Sequence, residues 1–510
     1  MIRTQSIECA RRDSFAVPAV VVASTGVIAL LLMTRQGIGA TPDSAGYIRA
    51  ARELFAEGHR QLIFTQYAPL YSVLLASGRL AGVDPLRTAT WLNSVLFGLN
   101  IFIVGFLARR ATSHARWLWL VAPCLMLSAP VLAIHATALS EPVFLLFALL
   151  GLYLLALHVE GDRPRYLVGS ALCAALALLA RYAGVACVVT GAVALLCFGA
   201  KGIGRRARAA VLFTAVAVLP MALLMLRNVA LGGTTTGRSL AFHPIGRSNV
   251  WEAIYTVSGW LFVPASAPNV VRLGVLAIGV LVVLALTRLG LTAAASPWSV
   301  RFLALFVAGY AAFLAMSISF FDANTPLDDR ILLPVFAAGV VIALHLVDRA
   351  WPRLSDTPVT AAATLLLVIG LLVGHVSTGA RVAAEGYANG WGFTGVRWRQ
   401  SATLARVKGL NPGTVVYSNA PEIVYLHTGL QPRPLPKTRF LMNGQPNRAL
   451  LPELSAIERE LRSTCGVVVY FRNLQQQAVP RENELMPALQ LQVRVQEPDG
   501  VILTPLTCPR

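Results

Sequence analysis

Charge is what this sequence has least of. Asp, Glu, Lys and Arg make up only 13% of its 510 residues, whereas 56% are hydrophobic. A soluble globular protein carries about a quarter charged residues, so the deficit excludes that class and defines a polytopic membrane protein. Cysteine is sparse too: the seven present show no zinc-like spacing, which excludes a zinc module. Glycine-rich runs such as Gly232-Gly233 lack the phosphate-loop pattern and have no lysine at the right distance, so nucleotide binding is unsupported. No internal repeat is evident, which weighs against transporters built from two related halves. The first apolar run ends without a small-residue cleavage site and reads as a retained span rather than a signal peptide.

What is abundant is positive charge, a formal +19. Its distribution argues against nucleic acid, because the basic residues are split among loops on both faces. Arg3, Arg11 and Arg12 precede the first apolar run. Arg109, Arg110 and Arg116 share one short gap, Lys201, Arg205, Arg206 and Arg208 another, and Arg349 and Arg353 mark a third. Basic clusters in alternate loops stay cytoplasmic. Reading apolar runs on that rule gives about eleven spans of roughly 20 residues. They fall near 15–33, 87–108, 117–134, 141–158, 166–180, 183–199, 209–226, 270–288, 300–318, 330–347 and 359–376. The loops 34–86, 134–140, 227–269 and 319–329 then face outside. The expected fold class is mainly α: a polytopic transmembrane helical bundle with a small C-terminal extracytoplasmic α/β domain.

The first outer loop is too long for a connector. Ser44 to Glu57 places Ile48, Ala51, Leu54 and Phe55 on one side and charges elsewhere, the pattern of an amphipathic interfacial helix. Tyr67-Ala68-Pro69-Leu70-Tyr71 opens a second apolar stretch, a re-entrant or surface helix. Loop 227–269, with Gly232, Gly233, Gly237, Trp251, Trp260 and Pro264, suits an ordered interfacial loop. After about residue 377 the chain turns hydrophilic. Val415–Tyr417 and Gly466–Phe471 read as buried strands, Leu454–Leu461 as a helix, and Leu489–Val495 with Val501–Leu503 as a hairpin. The expected division is thus 1–376 in the membrane and 377–510 outside it. Cys124, Cys173, Cys187 and Cys197 lie in apolar runs as packing residues, and Cys465 and Cys508 fall in the hydrophilic tail, where they could form one disulfide if that tail is outside.

Charges beside spans are costly and are usually paired or functional. Asp43 follows the first span in Thr41-Pro42-Asp43-Ser44. It is either a carboxylate favoured by a helix N-terminus or a catalytic acid at the bilayer surface. Glu141, in Ser140-Glu141-Pro142, fits a helix start equally well, but parity puts it on the face of Asp43. Two carboxylates at one depth suit a shared proton, a hydroxyl network or a divalent ion such as Mg or Mn. Arg181-Tyr182, Arg227-Asn228 and Asp328-Asp329-Arg330 come to the same face. A guanidinium fork matches phosphate oxygens. The alternatives are snorkelling for Arg181 and Arg227 and an ion pair with the adjacent aspartates for Arg330.

Pro-Asp-Ser-x-x-Tyr at 42–47, Ser-Glu-Pro at 140–142, Arg181-Tyr182, Arg227-Asn228 and Asp329-Arg330-x-Leu-Leu-Pro together resemble the GT-C glycosyltransferases. More narrowly, they resemble the bacterial branch related to protein O-mannosyltransferases and to the lipid A aminoarabinose transferase. The resemblance covers about residues 15–376. It implies a polyprenyl-phosphate-linked sugar as donor, a lipid, glycan or protein acceptor, and inverting transfer on the periplasmic or external face of the cytoplasmic (inner) membrane. Asp43 would then be the catalytic base and Glu141 the second acid. Arg330 would meet the donor phosphate, with Asp329, Arg181, Tyr182, Arg227 and Tyr67 around donor phosphate or sugar. Family members often have a paired acidic motif where this chain has Asp43-Ser44, so a metal held by Asp43 and Glu141 stays open. Competing readings are a transporter or flippase for a lipid-linked or anionic substrate, and an assembly subunit without activity.

Overall fold

The computed structural model describes residues 2–55, 64–199, 202–237, 240–290, 296–440, 444–474 and 478–508, without the side chains of 2–16 and 290. Glu57 and Lys201 lie outside the described residues. The membrane part runs α1 (Ile2–Met33), α2 (Pro42–Glu53), α3 (Leu70–Ser77), α4 (Pro85–Ala111), α5 (Val121–Leu125), α6 (Ala129–His135), α7 (Glu141–Gly161) and α8 (Pro164–Ala180). It continues with α9 (Val185–Phe198), α10 (Ile203–Ala230), α11 (Arg247–Gly259), α12 (Asn269–Gly290), α13 (Trp298–Phe320), α14 (Asp329–Leu354) and α15 (Pro358–Asn389).

Every apolar run expected to span is helical. Among the described residues seven helices are long and apolar enough by themselves, or eight if the pair 116–125 and 129–135, bent by 54°, counts as one span. That run breaks before Pro130, which supplies no N–H to continue a helix. The runs expected at 15–33, 166–180 and 183–199 are the shorter apolar helices Val17–Met33, Pro164–Ala180 and Tyr182–Phe198. The most apolar 18-residue stretches of the central helices α4, α7 and α14 are 67%, 61% and 61% buried, whereas those of α12 and α15 are 6% and 11% buried and turn their apolar surfaces outward. Helix α15 runs past its expected end at 376 to Asn389. It lies so close to its neighbours that a Cβ at Gly379 would overlap the Leu127 carbonyl, and one at Gly386 would meet Met33 Cγ at 2.6 Å.

Beyond α15 come α16 (Val396–Arg399), α17 (Ala402–Lys408), β1 (Val416–Ser418), α18 (Pro421–Thr428), β2 (Arg433–Pro434), α19 (Leu450–Thr464), β3 (Val467–Phe471), α20 (Glu482–Ala488), β4 (Leu491–Glu497) and β5 (Gly500–Pro505). The strands form one sheet in the order β2-β1-β3-β5-β4, parallel across β2, β1 and β3 and antiparallel across β5 and β4. The run Val467-Val468-Val469 is fully buried because helices cover both of its faces. Cys465 and Cys508 form a disulfide, tying the end of α19 to the segment after β5.

This α/β unit rests on the loop that carries Asp43. The short extended segment at 39–40 bridges Thr137 on one side and Gly392 on the other. Gly39 N–H donates to Ala136 O and Ala138 N–H to Gly39 O, each at 2.8 Å, and Phe393 N–H donates to Ala40 O at 2.8 Å. The polar side of α2, expected to face water or headgroups, is instead covered by α18. The guanidinium carbons of Arg49 and Arg52 lie 4.7 and 5.4 Å from the Tyr425 ring centre.

Candidate active site

Helix α2 starts at a capping box in which Thr41 and Ser44 bond each other's backbone N–H. Asp43 therefore sits in the first turn, at the positive end of the helix dipole. Tyr67 donates its hydroxyl to Asp43 Oδ1 at 2.9 Å. The Tyr67 ring reaches that position by lying over Gly46, where a Cβ would come within 2.6 Å of it. Tyr47, one turn on from Asp43, packs its ring at a tilt against Tyr67, centre to centre 4.8 Å, and shares a hydrogen bond of 3.0 Å with Ser140 Oγ. Burial first, and then the nearby Glu141 carboxylate, push the Tyr47 hydroxyl up to about 12. Burial and the Asp43 carboxylate raise Tyr67 well above the ordinary phenol range, so both tyrosines remain neutral donors.

Glu141 begins α7, and two asparagines of α4 hold the segment before it. Asn93 Nδ2 donates to the carbonyls of His135 and Thr137 at 3.1 and 2.7 Å, and Asn100 Nδ2 donates to Pro142 O at 3.0 Å. Arg181 follows α8 and pairs with Glu141, with a further bond to Ser140 Oγ at 3.3 Å. Arg330 is the second residue of α14, a helix capped by Asp328 Oδ1, which accepts Ile331 N–H at 3.0 Å. The Arg330 fork spans the site: one nitrogen pairs with Glu141 and the other lies 2.5 Å from Asp43 Oδ2.

The four charged residues form one chain, Asp43–Arg330–Glu141–Arg181. Burial is deepest at Glu141: the side-chain exposures along it are 30%, 25%, 3% and 16%. Asp43 and Arg330 are thus reachable from the cavity, while Glu141 lies beneath them as a fixed counter-charge. The cavity encloses about 630 Å³. Asp43, Tyr67, Arg181 and Arg330 line its charged end, Tyr310, Phe313 and Leu314 of α13 an apolar wall, and Tyr182 and Asp322 also face it. Tyr182 donates to Thr65 O at 2.9 Å and so fixes the far side of the first loop.

Two expected site residues are placed elsewhere. Arg227 is exposed and outside the cavity lining; its neighbour Asn228 is the buried one and donates to Phe64 O at 2.9 Å. Asp329 is exposed too, accepting Trp260 Nε1–H at 2.8 Å rather than pairing with Arg330. A pairing of Arg330 with its neighbouring aspartates is likewise replaced by the longer-range bridge. Ser140 serves not as a cap but as a link between Tyr47 and Arg181. Sequence reasoning missed Asp322, although it carries the signal that exposed Asp43: an acid directly after an apolar run.

The donor set does not fit a divalent ion. Asp43 and Glu141 both turn to Arg330, and a second guanidinium lies against Glu141, so a cation between them would face two like charges. Among the described residues no three His, Cys, Asp or Glu gather as ligands.

No family model matches the chain. Neither does any curated protein. Solved structures do. ArnT from Cupriavidus metallidurans in the apo state aligns with a TM-score of 0.59 at 15% identity, covering 96% of this chain and 99% of that one. The same protein bound to undecaprenyl phosphate aligns equally well, over 95% and 97% of the two chains. Arabinofuranosyltransferase AftD from Mycobacteria aligns with a TM-score of 0.54 at 15% identity, over 95% of this chain and 39% of that one. The fold is therefore that of the GT-C membrane glycosyltransferases, as the motifs implied.

Proposed function

We propose that this protein is a membrane glycosyltransferase that moves a sugar from a polyprenyl-phosphate donor to a hydroxyl of a lipid, glycan or protein acceptor. The observation that carries the reading is the bridge from Arg330 to Asp43 inside a cavity with one apolar wall. It sets a phosphate-binding fork beside a carboxylate, the two groups that transfer from a lipid phosphate needs. The neighbour ArnT is known with undecaprenyl phosphate bound, a ligand of the proposed donor class.

In this scheme the donor's prenyl chain lies along the α13 wall and its phosphate reaches Arg330 and Arg181. Phosphate oxygens compete with Asp43 for Arg330, and as the fork turns to them Asp43 Oδ2 is released. The acceptor oxygen attacks the anomeric carbon and its proton passes to Asp43. The bond from that carbon to the phosphate oxygen breaks, and polyprenyl phosphate leaves with the electron pair, its charge met by the two arginines. One displacement with no covalent intermediate inverts the anomeric centre. Glu141 keeps both guanidiniums in place and does not meet substrate.

The site is proposed to open outside the cytoplasmic membrane. The Cys465–Cys508 disulfide supports an oxidising compartment for the tail, and the basic clusters mark the opposite face. A transporter would carry its charges midway along broken helices. Asp43, Glu141, Arg181 and Arg330 all sit at helix ends.

The test is transfer from radiolabelled polyprenyl-phosphate sugars into a membrane extract. Wild type is expected to transfer, and Asp43→Asn to lose about 10²- to 10⁴-fold in rate while inserting normally. Full activity of that variant removes Asp43 from the mechanism. Substrate uptake by vesicles without any acceptor would favour transport instead.

A further inference from the structure

One carboxylate in the cavity has no part in the transfer step. Asp322 lies just beyond the end of α13, and its backbone N–H donates to Ser317 O at 2.9 Å. Its Oδ1 accepts Asn324 N–H at 3.1 Å, which fixes the direction of the side chain. A helix C-terminus is the negative end of the dipole, so an acid here is held at an electrostatic cost. Thr325, Thr236, Gln66 and Ser317 line the same cavity. A carboxylate among hydroxyl and amide groups is a set that binds polyols, because sugar hydroxyls donate charge-assisted bonds to it.

Charge then selects among sugars. Asp43, Glu141 and Asp322 are opposed by Arg181 and Arg330, so these groups sum to one net negative charge before any donor arrives. The donor phosphodiester adds another and draws on Arg330. A carboxylate on the sugar would add a third, close to Asp322 and to the carbonyl end of α13.

We infer that Asp322 recognises hydroxyl groups of the transferred sugar and restricts the donor to sugars without an acid group, neutral hexoses or pentoses rather than uronic acids. This rests on the glycosyl-transfer reading and adds its specificity. The experiment compares purified wild type, Asp322→Ala and Asp322→Asn, with a membrane extract supplying the acceptor, on a panel of neutral polyprenyl-phosphate hexoses and pentoses and on a polyprenyl-phosphate hexuronic acid, and measures binding of sugar-free polyprenyl phosphate to each protein alone. Asp322→Ala should lower kcat/KM for the neutral donor about 10- to 100-fold and leave binding of sugar-free polyprenyl phosphate unchanged. Asp322→Asn, which keeps an acceptor oxygen but no charge, should retain part of that turnover and admit the uronic acid donor that wild type rejects.

Undiminished kcat/KM in Asp322→Ala overturns the inference. So does an equal weakening of sugar-bearing and sugar-free lipid, which makes Asp322 a loop support only, or a wild type that transfers uronic acid as readily as neutral sugar. If wild type transfers none of these sugars, the glycosyl-transfer reading fails, and soluble ligands still decide the role of Asp322. Wild type should bind a neutral sugar 1-phosphate from the panel more tightly than inorganic phosphate, and Asp322→Ala should lose that preference; a preference unchanged in the variant overturns the assignment.

Discussion

Arg330 on α14 lies 2.5 Å from Asp43 on α2 and in the same fork pairs with Glu141 on α7, so one guanidinium ties the first turns of three separate helices into a single site. A charged link of this kind is sensitive to geometry as well as to charge. Arg330→Ala should lower kcat about 10²- to 10³-fold, as loss of one preorganised donor to the departing anion does elsewhere. Arg330→Lys keeps the charge but cannot span both carboxylates, so it should recover only a fraction in the same steady-state assay.

Glu141 is expected to fail differently. It is almost fully buried against Arg181 and Arg330, and Glu141→Gln would leave two guanidiniums without their shared anion. Breaking a buried pair from one side costs about 3–5 kcal/mol. The variant should therefore unfold at a clearly lower temperature in detergent, whereas Asp43→Asn, at a more exposed end of the chain of charges, should hardly shift it. Equal Tm values for wild type and Glu141→Gln would contradict this division of roles.

The α/β unit acts on the same loop from the other side. Tyr425 holds Arg49 and Arg52 of α2 against its ring. Each such contact contributes about 0.5–1 kcal/mol. Tyr425→Ala should reduce kcat about 3- to 10-fold with donor binding unchanged, and Tyr425→Phe, which keeps the ring face, should restore it. If both variants lose activity alike, the contact does not act through the ring.

Acid should loosen the tail domain at one identifiable point. Asp499, in the β4–β5 turn, accepts hydrogen bonds from Thr403 Oγ1 at 2.7 Å and Thr403 N–H at 3.1 Å, and another from Ser401. Burial works to raise this carboxyl, and those bonds outweigh it, holding it below the usual carboxylate range. A group with a depressed folded pKa contributes stability above its unfolded value of about 3.9, lost as pH falls through the folded one. Hydrogen exchange at the Thr403 amide should therefore accelerate as pH is lowered below about 4, beyond the intrinsic pH trend, and be fast at neutral pH in Asp499→Ala.

Much of this was legible in the chain. Helix positions follow from apolar runs, and those runs mark Asp43, Glu141, Arg181 and Arg330 as charges at helix ends, which the structure brings together. Direction around a helix was not legible. Asp329 and Arg330 are adjacent in sequence but about 100° apart on the helix, so one meets Trp260 and the other the cavity. The same rotation turns Asn228 inward and Arg227 out. In the tail, the buried strands announced themselves by runs of Val, while α16, α17 and α18 are too short for a period to show. The docking of α18 on α2 depends on residues far apart in the chain, which pattern reading cannot join.

Whether Arg330 exchanges Asp43 for the donor phosphate is decided by the binding of sugar-free polyprenyl phosphate to purified protein. Arg330→Ala should weaken this binding at least about tenfold, whereas Asp43→Asn, with no carboxylate to compete for the fork, should bind as tightly as wild type or more so. Equal weakening in both variants, or no change in Arg330→Ala, would contradict it.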